Sequence, residues 1–530
     1  MAFVGTLPGK LWSSSLSRCL TTAVLSLLVL VAVACRPGAS DRPLVYGSIF
    51  EPNVLNPLLA PDIASRQALE LVFDGLVVAD DSLTLVPRLA AGWEVTDEGR
   101  TWTFHLRRGV KWHDGHDFTA RDVVFTYRTL LDPKSGATLP RGDYAVVERV
   151  EAPDDSTVRF VLKNPYSPFL SRLTVGIVPS HLLEGQNLTT AAFNRKPVGT
   201  GPYILRDWLP AQRLSFEANP EYYAGQPAIK RIIWKVVPDT STLTMQLLAG
   251  EVDAGLVPDP QGRIAVRNDA RFAFAEALGG NTQISLQLAN PLFQDARVRR
   301  AMALGLDVQA IIDGVMHGEA KRATSDIPPS SWAHDRNLNP LPRDPEAAHR
   351  LLAEAGWRRG PDGVYARDGQ PFRFTLWTYA GDRVREAVLL VVQQQWRDLG
   401  LQVEVATQER NSFVANRILK GDFDAALLET SVQVDPDLSR RFHSASIKVG
   451  QNFLNYRNPE LDALLDQGVT TSDREVRRRV YFEAQRILLD DLPQIPLFHA
   501  TLAYAVRSEV SGVRPTPLGP FWNVSEWRRS

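Results

Sequence analysis

The sequence predicts an α/β protein built from more than one lobe, and three observations predict it. The chain has 530 residues, too long for one ordinary core, since domains run to about 100–200 residues. From residue 371 to residue 430, strand-like runs alternate with helical runs of crossover length, which is how βαβ units read. Composition is that of a globular chain, 44% hydrophobic and 22% charged, so there is enough apolar surface to bury.

Taken in order, the elements follow from local pattern. RPGASDRP (36–43) is a polar, Pro-containing linker, and LVYGSIF (44–50) reads as a strand. WTFHLRRGVKW (102–112) alternates apolar and polar residues, the period of a half-buried strand that HDGHD then continues into a turn. Asp114-Gly115 is a turn pair, because Gly takes positive φ without steric cost. Thr119 followed three residues later by Asp122 is a capping box, so DVVFTYRTLL (122–131) is a helix. His113 and His116 therefore belong to a strand–turn–helix scaffold, with no third or fourth metal ligand suggested nearby.

PVGTGPYILRDW (197–208) is a Gly/Pro-rich lead-in to a strand, and YYAGQPAIKRIIWKVVPD (222–239) is a loop and an apolar strand. STLTMQLLAGEVDAGLV (241–257) reads as a helix stopped at Gly250, then a strand. DARVRRAMALGLDVQAIIDGVMHG (295–318) reads as helical, and PEAAHRLLAEAGW (345–357) as a helix opened by Pro345 and stopped near Gly356. Then come a strand FRFTLWTY (372–379), a helix VREAVLLVVQQQWRDLG (384–400), a strand LQVEVATQ (401–408), a helix RNSFVANRILKG (410–421) and a strand FDAALLET (423–430). Helices at 461–469 and 473–491 follow.

The first 35 residues read as a targeting segment. Lys10 and Arg18 flank an apolar run from Leu20 to Ala34, shorter than the roughly 20 residues of a comfortable span. The run ends Ala32-Val33-Ala34-Cys35, which resembles a lipoprotein signal in which Cys35 becomes the acylated N-terminus. Ala32 stands where Leu is usual, and an ordinary signal-peptidase cut after Ala34 is the other outcome. Either route exports the protein. A lipidated Cys35 would anchor it to a membrane surface, in the periplasm or at the cell surface. Cys19 and Cys35 are the two cysteines, so the body has no disulfide framework, cysteine nucleophile or Cys–zinc site. A net charge of −1 gives no electrostatic reason to expect nucleic acid.

The sequence has no G-x-S-x-G elbow, Walker A loop, H-E-x-x-H or helix-opening G-x-G-x-x-G. Gly199-Thr200-Gly201 runs into Pro202 and a strand, so it is not a nucleotide loop. The nine histidines are scattered, and His349 falls on a helix surface. Paired carboxylates leave an exported hydrolase open as an alternative, without favouring one. No cofactor and no metal site are expected.

Several stretches together resemble the family 5 extracellular solute-binding proteins, the dipeptide, oligopeptide and nickel class that serves ABC importers. They are VLNPLLA (54–60), LVFDGLV (71–77), the long string from Leu85 to Tyr127, PVGTGPY (197–203), ANPEYY (218–223), LLAGEVDAG (247–255), PLFQDARVRRAMALGLD (291–307), DPEAAHRLLAEAGW (344–357), NYRNPELDALL (455–465) and LPQIPLF (492–498). The resemblance implies a two-lobed, periplasmic-binding-protein-like fold of the class II type with two crossings between lobes. One lobe would take 41–73, 197–288 and 499–530, an inserted subdomain 74–196, and a second lobe 289–498. It implies a non-enzymatic, monomeric protein that closes on a peptide or related small organic solute and passes it to an ABC transporter permease. A receptor that presents ligand to a sensor is a further alternative.

The same resemblance supplies candidate ligand-binding residues. Glu51 matches a pocket-edge acid of oligopeptide binders, and Arg383 falls near a basic ligand-facing position. Trp377 and Tyr379 end a strand and share one face. In peptide binders an Asp three residues before the acid of a D/E-P pair grips the ligand's α-ammonium. Here that position, relative to Asp435-Pro436, is Val432, so the anchor is missing in this register and Glu429 or Asp435 are the substitutes.

Overall fold

The computed structural model describes residues 42–60, 62–139 and 141–530, together with Gly5. The leader, Cys35 and most of the linker lie outside the described residues. Leu44–Ser530 is the folded body. No helix among the described residues is long and apolar enough to cross a membrane.

An eleven-stranded sheet runs through the body. At one end, Arg373–Tyr379 pairs in parallel with Gln402–Gln408 and with Ala425–Glu429. The helix Arg383–Leu399 makes the first crossover, so this is the βαβ unit expected from the sequence. At the other end, Leu44–Ser48 pairs in parallel with Arg231–Val236 and Ala254–Leu256. Two long antiparallel strands, Phe272–Leu286 and Gln494–Arg507, join the ends, pairing from Phe272 opposite Arg507 to Ser285 opposite Gln494. These are the two crossings of the mixed α/β, two-lobed fold.

The crossing strands are irregular where they pass between the halves. Their register shifts between Leu278 and Asn281 and again between Thr282 and Gln283. Gly280 sits at the first shift because nothing larger fits: a Cβ there would lie 1.4 Å from the Thr430 carbonyl oxygen. Several of the buried polar groups around it are joined. Asp326 accepts from Asn281 at 3.0 Å, Gln494 at 2.8 Å and Arg441 at 2.7 Å. His499, fully buried, contacts the Gly279 carbonyl through Nδ1 at 3.1 Å. Burial holds its imidazole down to a pKa of about 4.

Helix Arg383–Leu399 shows how the sequence sets an element. Asp382 caps it by accepting from the Arg385 N–H at 3.0 Å, and Gly400 ends it at φ 103°. Val388, Leu389, Val392, Trp396 and Leu399 form its buried stripe. Trp396 is sealed, and its Nε1 donates to the Met302 carbonyl at 2.9 Å. The 295–318 stretch is instead two helices, Ala296–Leu304 and Val308–Gly314. Asp307 breaks it by capping the second, accepting from the Ala310 N–H at 2.9 Å.

Among the described residues, four apolar clusters fill the body. The largest joins Leu44, Tyr46 and Trp234 to Trp102, Trp112, Phe160 and Phe169, so much of 74–196 shares a core with the first strands. Two clusters lie within 284–498, and a smaller one packs Leu243 and Leu247 against Val252 and Ala505.

In the 111–128 motif, the strand stops at Leu106 rather than continuing, because Gly109 turns the chain at φ 73°. Trp112 is buried. The His113 ring is a strut. Its Nδ1 accepts from the Gly199 N–H at 3.3 Å, so Nε2 carries the proton toward the Gly201 carbonyl at 3.0 Å. Burial pushes the His113 pKa down to about 4, matching a neutral ring. Gly199 and Gly201 are demanded by the end of helix Ile63–Val72: a Cβ on either would fall 1.8 Å and 2.5 Å from Val72 backbone atoms. The Thr119–Asp122 capping box forms as expected. His349 bonds the Tyr365 hydroxyl at 2.7 Å. His181, from a distant segment, stacks on His116 at 4.2 Å, so the expectation of no third ligand-type side chain nearby is corrected.

Candidate functional site

A cavity of about 810 Å³ opens beside the crossing strands, and both halves of the body line it. One wall comes from the turn after the first strand, helix Ile63–Val72 and the chain around Asp74, Arg88 and Arg172. The other comes from Tyr379, Arg410 and residues 428–433, with Gly279 and Gly280 between. Phe50, Ile63, Leu502 and Trp522 supply apolar surface, and a few charged groups converge among them. That size and mixture suit a small organic ligand, for which pockets of roughly 300–1,000 Å³ are usual.

The charged groups are held in pairs. Asp74, buried, accepts from the hydroxyls of Tyr222 at 3.0 Å and Tyr223 at 2.9 Å, with the Arg88 guanidinium 3.9 Å away. Burial raises the Asp74 pKa despite those partners. Arg88 also donates to the Trp522 carbonyl. Asp143 lies between two guanidiniums, Arg172 at 3.6 Å and Arg440 at 2.5 Å. Glu70 differs. It is half-buried against the cavity, and its Oε2 has no hydrogen-bond partner among the described residues. Burial pushes its carboxyl up to about 8.

The six residues expected to meet ligand divide. Tyr379 and Glu429 line the cavity. The Tyr379 ring carries the guanidiniums of Arg385 at 4.4 Å and Arg410 at 5.3 Å. Glu429 is partly exposed and accepts from Arg385 at 3.2 Å. Glu51 lies off the lining, its carboxylate taken by Trp208 Nε1 at 2.9 Å and the Ala211 N–H at 3.0 Å. Trp377 shares the Tyr379 face but sits beneath Arg417 at 4.3 Å, away from the lining. Arg383 is exposed in the first helical turn, and the buried arginine is Arg385, two residues on. Asp435 is held, largely covered, in an ion pair with buried Arg477 at 2.6 Å, also off the lining. Val432 itself lines the cavity, so that position carries no carboxylate, and Glu429 is the acid of this stretch of wall. The PVGTGPY loop is likewise absent from the lining, held instead by His113.

Sequence reasoning missed Glu70, Asp74, Arg88, Asp143, Arg172 and Arg410. One of them left a readable signal: Glu70 is a carboxylate inside the apolar run Ala68-Leu69-Glu70-Leu71-Val72.

The family model "Bacterial extracellular solute-binding proteins, family 5 Middle" matches residues 84–447. Protein XP55 of Streptomyces lividans is 36% identical over 476 residues, 89% of this chain and 86% of that protein. The structure of the oligopeptide-binding protein AppA from Bacillus subtilis, in complex with a nonapeptide, superposes with a TM-score of 0.75 at 30% identity. That match covers 92% of this chain and 99% of AppA. NikZ from Campylobacter jejuni, in complex with Ni(L-His), also gives 0.75, at 29% identity over 92% of this chain and all of NikZ.

Proposed function

Because the chain belongs to family 5 of the bacterial extracellular solute-binding proteins, we propose that it captures a peptide or peptide-like organic solute in the 810 Å³ cavity and releases it, unaltered, to an ABC transporter permease. One observation carries the reading: the lining is drawn from both halves of a two-lobed body, on either side of the crossing strands. A ligand touching both halves favours the closed arrangement, and differential affinity is what drives closure. Tyr379 and Glu429 are assigned to its contact surface, with Glu70, Arg88 and Arg172 opposite.

The finer assignments keep to the same reading. Residues 41–73, 197–288 and 499–530 make one lobe with 74–196 inserted, and 289–498 makes the other. The Ala-Val-Ala-Cys run supports anchoring through a lipidated Cys35 outside the cytoplasm. No step of bond breaking is assigned to the cavity carboxylates.

Mass spectrometry of solute carried through purification, followed by calorimetry with that compound, tests the function. One bound peptide-like compound per chain, returned intact, is expected. Sustained turnover of the solute, abolished by substituting a cavity carboxylate, would overturn it. With Val432 in the wall, N-acetylation of a bound peptide is expected to change affinity less than threefold. A loss of about 3 kcal/mol or more, the scale of an unpaired buried charge, would show that Glu429 or Glu70 grips the ammonium.

A further inference from the structure

We propose that Asp114, His116 and His181 form a surface site for a divalent transition-metal ion of the zinc class, away from the solute cavity. Their three ligand atoms lie within 4.8 Å of one another. His181 Nε2 is 2.8 Å from Asp114 Oδ2, and His116 Nδ1 is 3.2 Å from Asp114 Oδ1. Zinc bonds of about 2.0–2.2 Å in a tetrahedron put ligand atoms roughly 3.3 Å apart. The two contacts reach different oxygens of the Asp114 carboxylate, so each histidine nitrogen already sits near ligand-to-ligand separation from that group. Bringing both nitrogens to one metal position takes a rotation of the exposed His116 ring and a small shift of the Asp114 carboxylate.

The scaffold beneath is rigid, which separates this trio from a chance surface cluster. His116 follows Gly115, whose φ of 90° makes the turn. His181 comes from helix Ser180–Leu183, distant in sequence. The two segments are tied by buried Asp122, which accepts from the Ser180 N–H at 2.9 Å, the Ser180 hydroxyl at 2.7 Å and Trp112 Nε1 at 3.3 Å. Trp112 also packs its ring against His181 at 6.2 Å. The imidazoles stack at 4.2 Å with 24° between planes, both with a nitrogen toward one carboxylate. Two imidazoles and a carboxylate suit zinc, nickel or copper better than magnesium or calcium. Three protein ligands leave a coordination position toward solvent.

The test is zinc titration of the untagged protein by calorimetry, with wild type, His116→Ala, His181→Ala and Asp114→Asn compared. One zinc ion per chain is expected. Each histidine substitution should weaken binding at least tenfold, while His105→Ala, outside the trio, should not change it. Zinc should raise the wild-type melting temperature but not that of the histidine variants, a readout that also reports whether each variant folds. X-ray absorption should show two imidazoles on the ion. No stoichiometric uptake, or uptake undiminished when both histidines are replaced, would overturn the proposal.

Discussion

Glu70 and His499 place opposite pH slopes in one molecule. The Glu70 carboxyl holds its proton to about pH 8 when folded, whereas an unfolded glutamate releases it near 4.3. Between those values the folded state binds more protons. Its contribution is complete below about pH 4.3 and is lost as pH rises through about 8. Glu70→Gln cannot ionise, so its stability should gain on wild type between pH 5 and pH 8.5, by on the order of 2–4 kcal/mol. Urea midpoints at the two pH values decide this, and equal gaps at both would refute it. For His499 the sign reverses. Its folded pKa is about 4 against an unfolded 6.5, so the unfolded state binds more protons between those values. Stability is full above about 6.5 and falls by up to about 1.4 kcal/mol per unit toward pH 4. His499→Gln should flatten that acid limb, and an unchanged slope from pH 6.5 to 4.5 would show that other groups govern it.

Among the elements, the crossing strands matter most and were the least legible. The βαβ unit at 371–430 could be read because its signals are local: apolar runs of strand length, an Asp cap and a Gly stop. Phe272–Leu286 gives no such pattern. Both faces of its second half are buried, and Asn281, Gln283 and Ser285 lie inside among apolar neighbours, so the period-2 alternation of a half-exposed strand disappears. The site divides the same way. Tyr379 was legible as the end of a strand and Glu429 through the family resemblance, whereas Glu70, Arg88 and Arg172 converge from separate segments and only the fold brings them together. Gly280 tests the crossing directly. Thr430 donates its N–H to the Asn281 carbonyl at 3.0 Å, which presses the Thr430 carbonyl onto the Gly280 Cα. Gly280→Ala must displace backbone and should cost at least about 1–3 kcal/mol, the usual range for overpacking, with weaker solute binding. Gly314→Ala, with nothing within 4 Å of its added Cβ, is the matched control. Equal melting temperatures for the two variants would remove the strain argument.

At the scale of the whole molecule, closure rests on contacts between segments far apart in sequence. Arg440 donates to Asp143 at 2.5 Å, Tyr166 to Asp437 at 3.4 Å, Ser167 to the Thr471 carbonyl, and Arg474 to Thr84 at 3.2 Å. All are polar, and Arg440 is about half exposed. Such a rim suits a body that must reopen: the ion pair among these four contacts, Arg440 with Asp143, is partly exposed, and pairs of that kind contribute only about 0.2–1 kcal/mol. Asp143 also faces Arg172 inside the cavity, so the rim and the cavity lining share one carboxylate. Removing Arg440 should therefore barely change the stability of each half but should shift the open–closed balance. Arg440→Ala is expected to weaken solute binding by up to about fivefold, the equivalent of 1 kcal/mol. The unliganded protein should have a larger radius of gyration, and saturating solute should restore the wild-type value. Calorimetry and small-angle scattering read the two effects separately. Weakened binding with no change in the unliganded radius would place Arg440 in direct solute contact, and would sink its role as a latch.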